Sequence, residues 1–125
     1  MQKILLVGMG GFFGAIMRYV VSDWIYQILR RPRFPYSTLG VNLIGCLLIG
    51  LLSGLAEERQ IFSPEIRLLV FIGFLGSFTT FSTFGYEIFK FARDGQMLSS
   101  LANLTLHIVL GLLAVWLGFT ASRIF

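Results

Sequence analysis

The sequence has few charged side chains and only one cysteine. Charged residues make up 13% of the 125 residues, against about a quarter in soluble domains, while 56% are apolar. This shortage of charge excludes an ordinary soluble domain and indicates a membrane protein. The single cysteine, Cys46, excludes a disulfide framework or a cysteine-based metal cluster within one chain.

The basic residues are also few and scattered, so the net charge of +4 does not indicate a nucleic-acid partner. The first apolar segment begins almost at Met1, contains Arg18 and lacks a small-residue cleavage site. We therefore expect it to be a membrane helix and not a signal peptide. The length predicts one small domain, residues 1–125.

Four long apolar segments predict four transmembrane helices, since a spanning helix needs about 20 mostly apolar residues. The expected helices cover about 4–28, 36–56, 64–91 and 96–122. Glycines in the first segment, Gly10 and Gly14, are four residues apart and predict close helix packing. A dinucleotide-binding loop is excluded there because no strand precedes these glycines.

One stretch of the third segment, Gly73–Phe84, is poorly suited to a regular membrane helix. Its glycines, serine and adjacent threonines weaken helical propensity, so we predict a break in this helix near its middle. A break frees backbone carbonyl groups, which lipid cannot satisfy but a bound ion can. Hydroxyls at 79, 80, 82 and 83 accompany phenylalanine rings at 78, 81 and 84, which we expect to stack along one helical face. We interpret the stretch as an ion pathway, although phenylalanine spacing alone is more typical of packing or lipid contact.

Three other polar side chains in the segments each have two interpretations. Asn42 either donates hydrogen bonds into a pore or bonds a neighbouring helix. Glu87 is either a pore-mouth carboxylate or an interfacial one. His107 shares a helical face with Asn103 and Gly111, and it is either functional or hydrogen-bonded in the interior.

The basic residues leave the orientation in the membrane undecided. One side of the predicted bundle carries four of them and the other five: Lys3, Arg59, Arg67 and Arg123 against Arg30, Arg31, Arg33, Lys90 and Arg93. Either the orientation is weakly fixed, or the chain inserts both ways and forms an antiparallel pair. Because four short helices are few to enclose a pathway, we favour a dimer with its two-fold axis in the membrane plane.

None of the segments has a carboxylate at its centre, where a cation carrier or proton-coupled exporter normally places one. The polar groups in the segments are amides, hydroxyls, one histidine and Arg18. Amides and hydroxyls donate hydrogen bonds, and aromatic rings have a positive edge. This set favours a small anion, because edge-on ring contacts allow selective binding with fast exit.

At these residues the sequence resembles the Fluc (CrcB) family of fluoride channels. The specific match is Gly73–Phe84, GFLGSFTTFSTF, and weaker matches are Gly14–Tyr19 and Gly40–Gly45. The resemblance covers essentially the whole chain. It implies an all-α membrane protein with four transmembrane helices, the third broken near its middle. It also implies an antiparallel, dual-topology homodimer with two fluoride pores, in a prokaryotic plasma (inner) membrane.

The resemblance assigns residues to the anion pore. Phe81 and Phe84 would contact fluoride, and the Asn42 amide would replace part of its water shell. His107 would also face the pore. A polar track would continue along the third segment through Ser82, Thr83 and Glu87.

Two further sites follow from the same resemblance. Arg18 would draw anions into an aqueous vestibule. A structural Na⁺ at the dimer centre would be held by the backbone carbonyls of Gly76 and Thr79. No organic cofactor is implied.

The fourth segment departs from the family pattern. His107 and Gly111 stand where some relatives have small hydroxyl residues, and Val115 stands where some have threonine. The share of this segment in the pore lining is therefore open. His107 would add pH sensitivity, because a histidine changes charge near neutral pH.

The function implied is passive, selective export of fluoride, which lowers its toxicity in the cytoplasm. A small dual-topology multidrug exporter is one alternative, but it would need a membrane-embedded glutamate in the first segment, which has none. An assembly subunit of a larger membrane complex is another. An enzyme is not expected, because no histidine or acid accompanies Ser82 in the sequence.

Overall fold

The computed structural model describes residues 1–30 and 32–124 and is all-helical there. Arg31, one of the basic residues counted above, and Phe125, the last residue of the predicted domain, lie outside the described residues. The described chain contains four helical stretches long and apolar enough to cross a membrane: Gln2–Ile28, Tyr36–Arg59, Pro64–Arg93 and Met97–Ile124. The protein is therefore a multi-pass membrane protein.

The first two helices are regular. Helix α1 covers Gln2–Ile28, and α2 covers Tyr36–Arg59, three residues beyond the expected end at residue 56. The polar residues after 56 continue the helix until Gln60, which adopts the left-handed conformation with φ 50° and ψ 27°. A left-handed residue is a common way for a helix to end.

The third spanning stretch consists of two helices. Helix α3 comprises residues 64–78: an α-helical turn at Pro64–Arg67, a π-helical section at Leu68–Leu75 and a last turn at Gly76–Phe78. Helix α4 covers Phe81–Arg93. Thr79 and Thr80 between them are extended, with ψ of 161° and 114°.

The last spanning stretch is helix α5, Met97–Ala121, which continues as a 3₁₀ turn at Ser122–Ile124. It packs against α2 and α4, whereas α1 packs mainly against α3. The interruption after residue 78 lies between the α1–α3 pair and the α2–α5 pair, so its backbone faces both pairs.

Glycines permit close approach within each helix pair. A Cβ on Gly14 of α1 would lie only 2.2 Å from the carbonyl oxygen of Phe74 in α3. In the other pair, a Cβ on Gly118 of α5 would lie 2.2 Å from the carbonyl oxygen of Leu47 in α2. Small residues let helix backbones pack closely in membranes, where dispersion replaces the hydrophobic effect. The close packing predicted for the first segment is thus between α1 and α3, the helix that precedes the interruption.

Few apolar side chains are buried within one chain. Among the described residues the buried apolar set is Leu39, Val41, Ala56, Leu75, Phe78 and Phe84. Many large apolar side chains on all four spanning stretches are exposed instead. This distribution is expected of a protein whose helices contact lipid or another membrane protein.

Candidate functional site

The interruption lies near the middle of the third spanning stretch, Pro64–Arg93. The Thr79 hydroxyl donates to the carbonyl of Leu75 at 3.0 Å, which ties it to the end of α3. The Thr80 hydroxyl caps α4 by accepting from the N–H of Thr83 at 3.3 Å. Threonine side chains thus stabilise both ends of the extended segment, as expected of good helix-capping residues.

Asn42 of α2 contacts this segment with both atoms of its amide. Its Oδ1 accepts from the Thr80 N–H at 2.9 Å, and its Nδ2 donates to the Thr80 carbonyl at 3.1 Å. The amide therefore pairs with both the N–H and the carbonyl of Thr80. An amide group has two N–H donors, so this contact uses only one of them.

Arg18 of α1 approaches the same segment from the other side. Its Nη1 donates to the carbonyl of Thr79 at 3.4 Å. It also lines a depression of about 330 Å³ together with the polar residues Ser22, Thr38, Thr80 and Thr83. The sequence-predicted vestibule arginine thus lies in a polar depression next to the interruption.

A larger cavity of about 410 Å³ lies beside the interruption, between α2, α3, α4 and α5. Its lining is mostly apolar and includes most of the residues predicted from the sequence: Asn42, Gly76, Thr79, Phe81, Phe84 and His107. An apolar cleft with a few polar groups is typical of a ligand site. We refer to it below as the central cavity.

The phenylalanines at 81 and 84 have different environments. Their ring centroids are 5.6 Å apart with an edge-to-face angle of 61°. Phe84 is buried, with 8% of its surface exposed, whereas Phe81 is 82% exposed. This largely exposed ring near the middle of a spanning stretch indicates a surface that faces outward from the chain.

Phe78 does not follow the predicted row. It ends α3, before the extended residues, and stacks on Phe74 with centroids 5.9 Å apart and planes 5° apart. The prediction that rings 78, 81 and 84 stack along one helical face was therefore wrong for Phe78. Helical spacing no longer applies across two extended residues.

Glu87 lies at the end of a polar contact chain. Its Oε1 accepts from the hydroxyl of Thr38 in α2, and its Oε2 accepts from Asn103 Nδ2 in α5 at 3.5 Å. The carboxylate is half-buried, whereas Asn103 is completely buried. Thr38 was missed by the sequence reasoning, although it stands one helical turn before Asn42 and so shares its face.

His107 adjoins both the cavity and this polar chain. Its ring lies 4.2 Å from the ring of Phe84, and its Nδ1 lies 3.0 Å from the main-chain oxygen of Asn103. Ser82 and Thr83 are exposed on the first turn of α4. Thr83 accepts from the Thr80 hydroxyl at 3.0 Å, and Ser82 lies 3.4 Å from it. Neither residue lines the central cavity, and Thr83 lines the depression beside Arg18 instead.

Four spanning helical stretches, one of them interrupted near its middle beside a polar depression and a mostly apolar cavity, define a small multi-pass membrane protein. Residues 5–119 match the family described as "CrcB-like protein, Camphor Resistance (CrcB)". The chain belongs to the CrcB family.

Curated relatives match over nearly the full chain. A protein of Geotalea daltonii named "Fluoride-specific ion channel FluC" is 42% identical over 123 residues, 98% of each chain. One of the same name from Acidobacterium capsulatum is 46% identical over 122 residues, 98% of this chain and 97% of the relative. "Fluoride-specific ion channel FluC 1" of the archaeon Methanosarcina acetivorans is 41% identical over 118 residues, 94% of this chain and 88% of the relative.

Proposed function

We propose that the protein is a fluoride-selective ion channel, not an enzyme, in a prokaryotic plasma membrane. The observation that supports this most strongly is the central cavity, which combines an amide, threonine hydroxyls and phenylalanine rings near the middle of the third spanning stretch. Relatives that match almost the whole chain are named for the same ion. Transport is passive: fluoride trapped in the cytoplasm leaves down its electrochemical gradient, and this lowers its toxicity.

The pore groups suit a small, strongly hydrated anion. The second N–H of Asn42 and the ring edges of Phe81 and Phe84 present partial positive charge. Weak donors of this kind replace water around fluoride without holding it as tightly as a lysine would. The hydroxyls of Ser82 and Thr83 and the carboxylate of Glu87 would form the continuation of the path.

Arg18 supplies a fixed positive charge beside the proposed pathway. It is half-buried, and its guanidinium lies beside the Thr79 carbonyl at the edge of the vestibule depression. A fixed positive charge in a depression raises the local concentration of anions. We assign it the role of attracting fluoride toward the interruption.

The working unit in this proposal is an antiparallel homodimer. Gly76 and Phe81, on either side of the interruption, are exposed on the surface of one chain, and the extended residues Thr79 and Thr80 are partly exposed. Lipid cannot satisfy irregular backbone in the hydrocarbon region, so protein must cover it. A second copy does so most simply, and the balanced basic residues of the sequence allow the two copies to insert in opposite directions.

A structural Na⁺ fits the freed backbone. In a regular helix the N–H of Thr80 would bond to the carbonyl of Gly76, but here it donates to Asn42. The Thr79 carbonyl accepts a long hydrogen bond of 3.4 Å from Arg18. Carbonyl oxygens are suitable ligands for a hard cation, so we propose that Gly76 and Thr79 of each subunit hold the ion at the dimer centre. The ion would neutralise converging carbonyl dipoles and stabilise the contact between subunits.

Ion efflux from vesicles tests the function. The purified protein is reconstituted into vesicles loaded with potassium fluoride, and release is followed with a fluoride electrode after a potassium ionophore is added. We expect fast fluoride release, and no chloride release from matched chloride-loaded vesicles. Folded dimers that release no fluoride would contradict the proposal and favour an exporter or an assembly subunit.

Labelling in cells tests the antiparallel arrangement. Ile61 is an exposed, uncharged loop residue, so Ile61→Cys in a Cys46→Ser background leaves the charge balance unchanged. We expect a membrane-impermeant thiol reagent to label about half of the protein in intact cells, because dual insertion places the loop on both sides. Labelling of all or none of the protein would show one fixed orientation.

A further inference from the structure

His107 presents only one of its ring nitrogens for binding. Its Nδ1 lies 3.0 Å from the main-chain oxygen of Asn103, one turn earlier on α5. A carbonyl oxygen only accepts hydrogen bonds, so Nδ1 carries the proton in the neutral ring. The opposite nitrogen, Nε2, then has a free lone pair that points away from the helix backbone.

This lone pair is unused in the described part of the chain. Nε2 of His107 is buried and has no hydrogen-bond partner there. A buried acceptor without a donor is unfavourable, and in a native structure such an atom calls for a proton, a water molecule or a ligand. The residue lines the central cavity, and its ring adjoins that of Phe84, which we have placed in the fluoride pore.

We propose that Nε2 of His107 is a proton-linked fluoride-binding position in this channel, an inference that rests on the proposed function. The neutral ring repels fluoride, because both Nε2 and the anion are acceptors. The protonated ring donates an N–H···F⁻ hydrogen bond. When hydrogen fluoride enters, its H–F bond breaks, the N–H bond forms, and the fluoride remains as the acceptor of that N–H.

The titratable and charged groups around His107 decide whether its protonation is coupled to anion binding. Helix α5 packs against α2 and α4. From α2 the titratable group in the cavity lining is the Cys46 thiol. On α4 the titratable group Glu87 lies outside this lining and contacts Asn103, not the imidazole itself. Among the described residues that line the cavity none is lysine or arginine.

A protonated imidazole would therefore be the positive group of the cavity. An ionised side chain inside a membrane is costly unless it has a partner. Fluoride supplies that partner, so the proton and the anion each favour binding of the other. Nε2 is covered by its neighbours in the present conformation, so binding requires a small shift of the adjoining rings.

Magnetic resonance of the histidine ring tests this coupling without any transport assay. The chain has one histidine, so a ¹⁵N-histidine label reports on this ring alone. The purified dimer is titrated from about pH 5.5 to about pH 8 in gluconate, chloride and fluoride salts. We expect fluoride to raise the midpoint of the His107 titration by about one pH unit, equivalent to about tenfold tighter binding of fluoride to the protonated form.

Chloride should leave the midpoint where gluconate does. A midpoint that is identical in fluoride and gluconate would overturn the inference, as would a ring that stays neutral throughout. A fluoride-dependent midpoint in a protein that shows no vesicle efflux would contradict the proposed channel function but support the binding position.

Flux measurements provide the second arm. In the unaltered protein we expect the half-saturating fluoride concentration to fall by about tenfold from about pH 8 to about pH 5.5, after the leak of protein-free vesicles is subtracted. His107→Gln should remove this pH dependence. Cys46→Ser, which changes the other titratable group in the cavity lining, should retain it. Equal pH dependence in His107→Gln and the unaltered protein would overturn the inference.

Discussion

Asn42 pairs with the backbone of Thr80 as one peptide group pairs with another, through Oδ1 to the N–H at 2.9 Å and through Nδ2 to the carbonyl at 3.1 Å. A single side chain of α2 thereby pairs with both backbone groups of Thr80. Buried backbone groups are almost always paired. This pairing explains how an irregular segment is tolerated at the centre of a membrane protein, and it leaves one amide N–H for an anion.

Replacing Asn42 by aspartate separates these roles. Asn42→Asp keeps an acceptor for the Thr80 N–H but places an oxygen against the Thr80 carbonyl and a negative charge in the central cavity. We expect fluoride efflux to fall by at least about tenfold, since a hydrogen bond involving a charged or buried group is worth about 1.5–3 kcal/mol. Efflux within twofold of the unaltered protein, from dimers of normal elution volume, would show that the amide is not part of the pathway.

The contact of Gly14 with Phe74 predicts a steric effect at a distance from the cavity. In Gly14→Ala the added methyl group would lie 2.2 Å from a carbonyl oxygen, so α1 and α3 must separate. We expect a loss of about 1–3 kcal/mol in thermal or denaturant stability and a lower fluoride flux. Gly8→Ala on the same helix is the matched control, because a Cβ there has nothing within 4 Å. Equal stability of the two variants would mean that the helices do not approach this closely.

We predict that the hydrogen bond from the Thr38 hydroxyl to Glu87 contributes to stability and to fluoride flux. Thr38→Val keeps the shape of the side chain but removes the hydroxyl that donates to the carboxylate. We expect lower stability and a several-fold lower flux, because the half-buried carboxylate loses a partner. Thr38→Ser retains a hydroxyl and should remain close to the unaltered protein. If valine and serine behave alike in thermal unfolding and efflux, this hydrogen bond has no role.

We predict that fluoride efflux requires an aromatic side chain at the exposed position 81. Phe81→Ile preserves an apolar side chain but removes the positive ring edge. We expect efflux to fall at least about tenfold with little loss of stability in one chain, because 82% of this side chain is exposed there. Phe12→Ile on α1, where the ring is 63% exposed, is the control and should conduct normally. Loss of efflux in both variants would indicate a general effect of membrane packing.

The proposed Na⁺ predicts a cation-specific stability of the dimer. If the carbonyls of Gly76 and Thr79 bind Na⁺, its replacement by the larger K⁺ should lower the unfolding temperature at constant ionic strength. A ligand present at 100 times its dissociation constant contributes about 2.7 kcal/mol. Dimer dissociation and thermal unfolding in the two salts provide the measurement. Identical behaviour in sodium and potassium, after dialysis against each, would contradict the assignment.

Much of the architecture could be predicted from the sequence because it depends on local composition. Long apolar segments with few charges can only be stable in lipid as helices, so four spanning stretches followed from the sequence alone. The weak helical propensity around Thr79 and Thr80 predicted irregular backbone in this segment. The motif at Gly73–Phe84 also indicated the family from the sequence alone, because it is one contiguous stretch of chain.

Contacts between distant residues were decided only by the tertiary structure. The sequence left open whether Asn42 bonds a neighbouring helix or faces a pore, and its pairing with Thr80, which is 38 positions away, depends on how α2 packs against the interruption. The contact of Thr38 with Glu87 across 49 positions was missed for the same reason. Helical periodicity relates neighbours on one helix, whereas the packing of helices decides which faces meet.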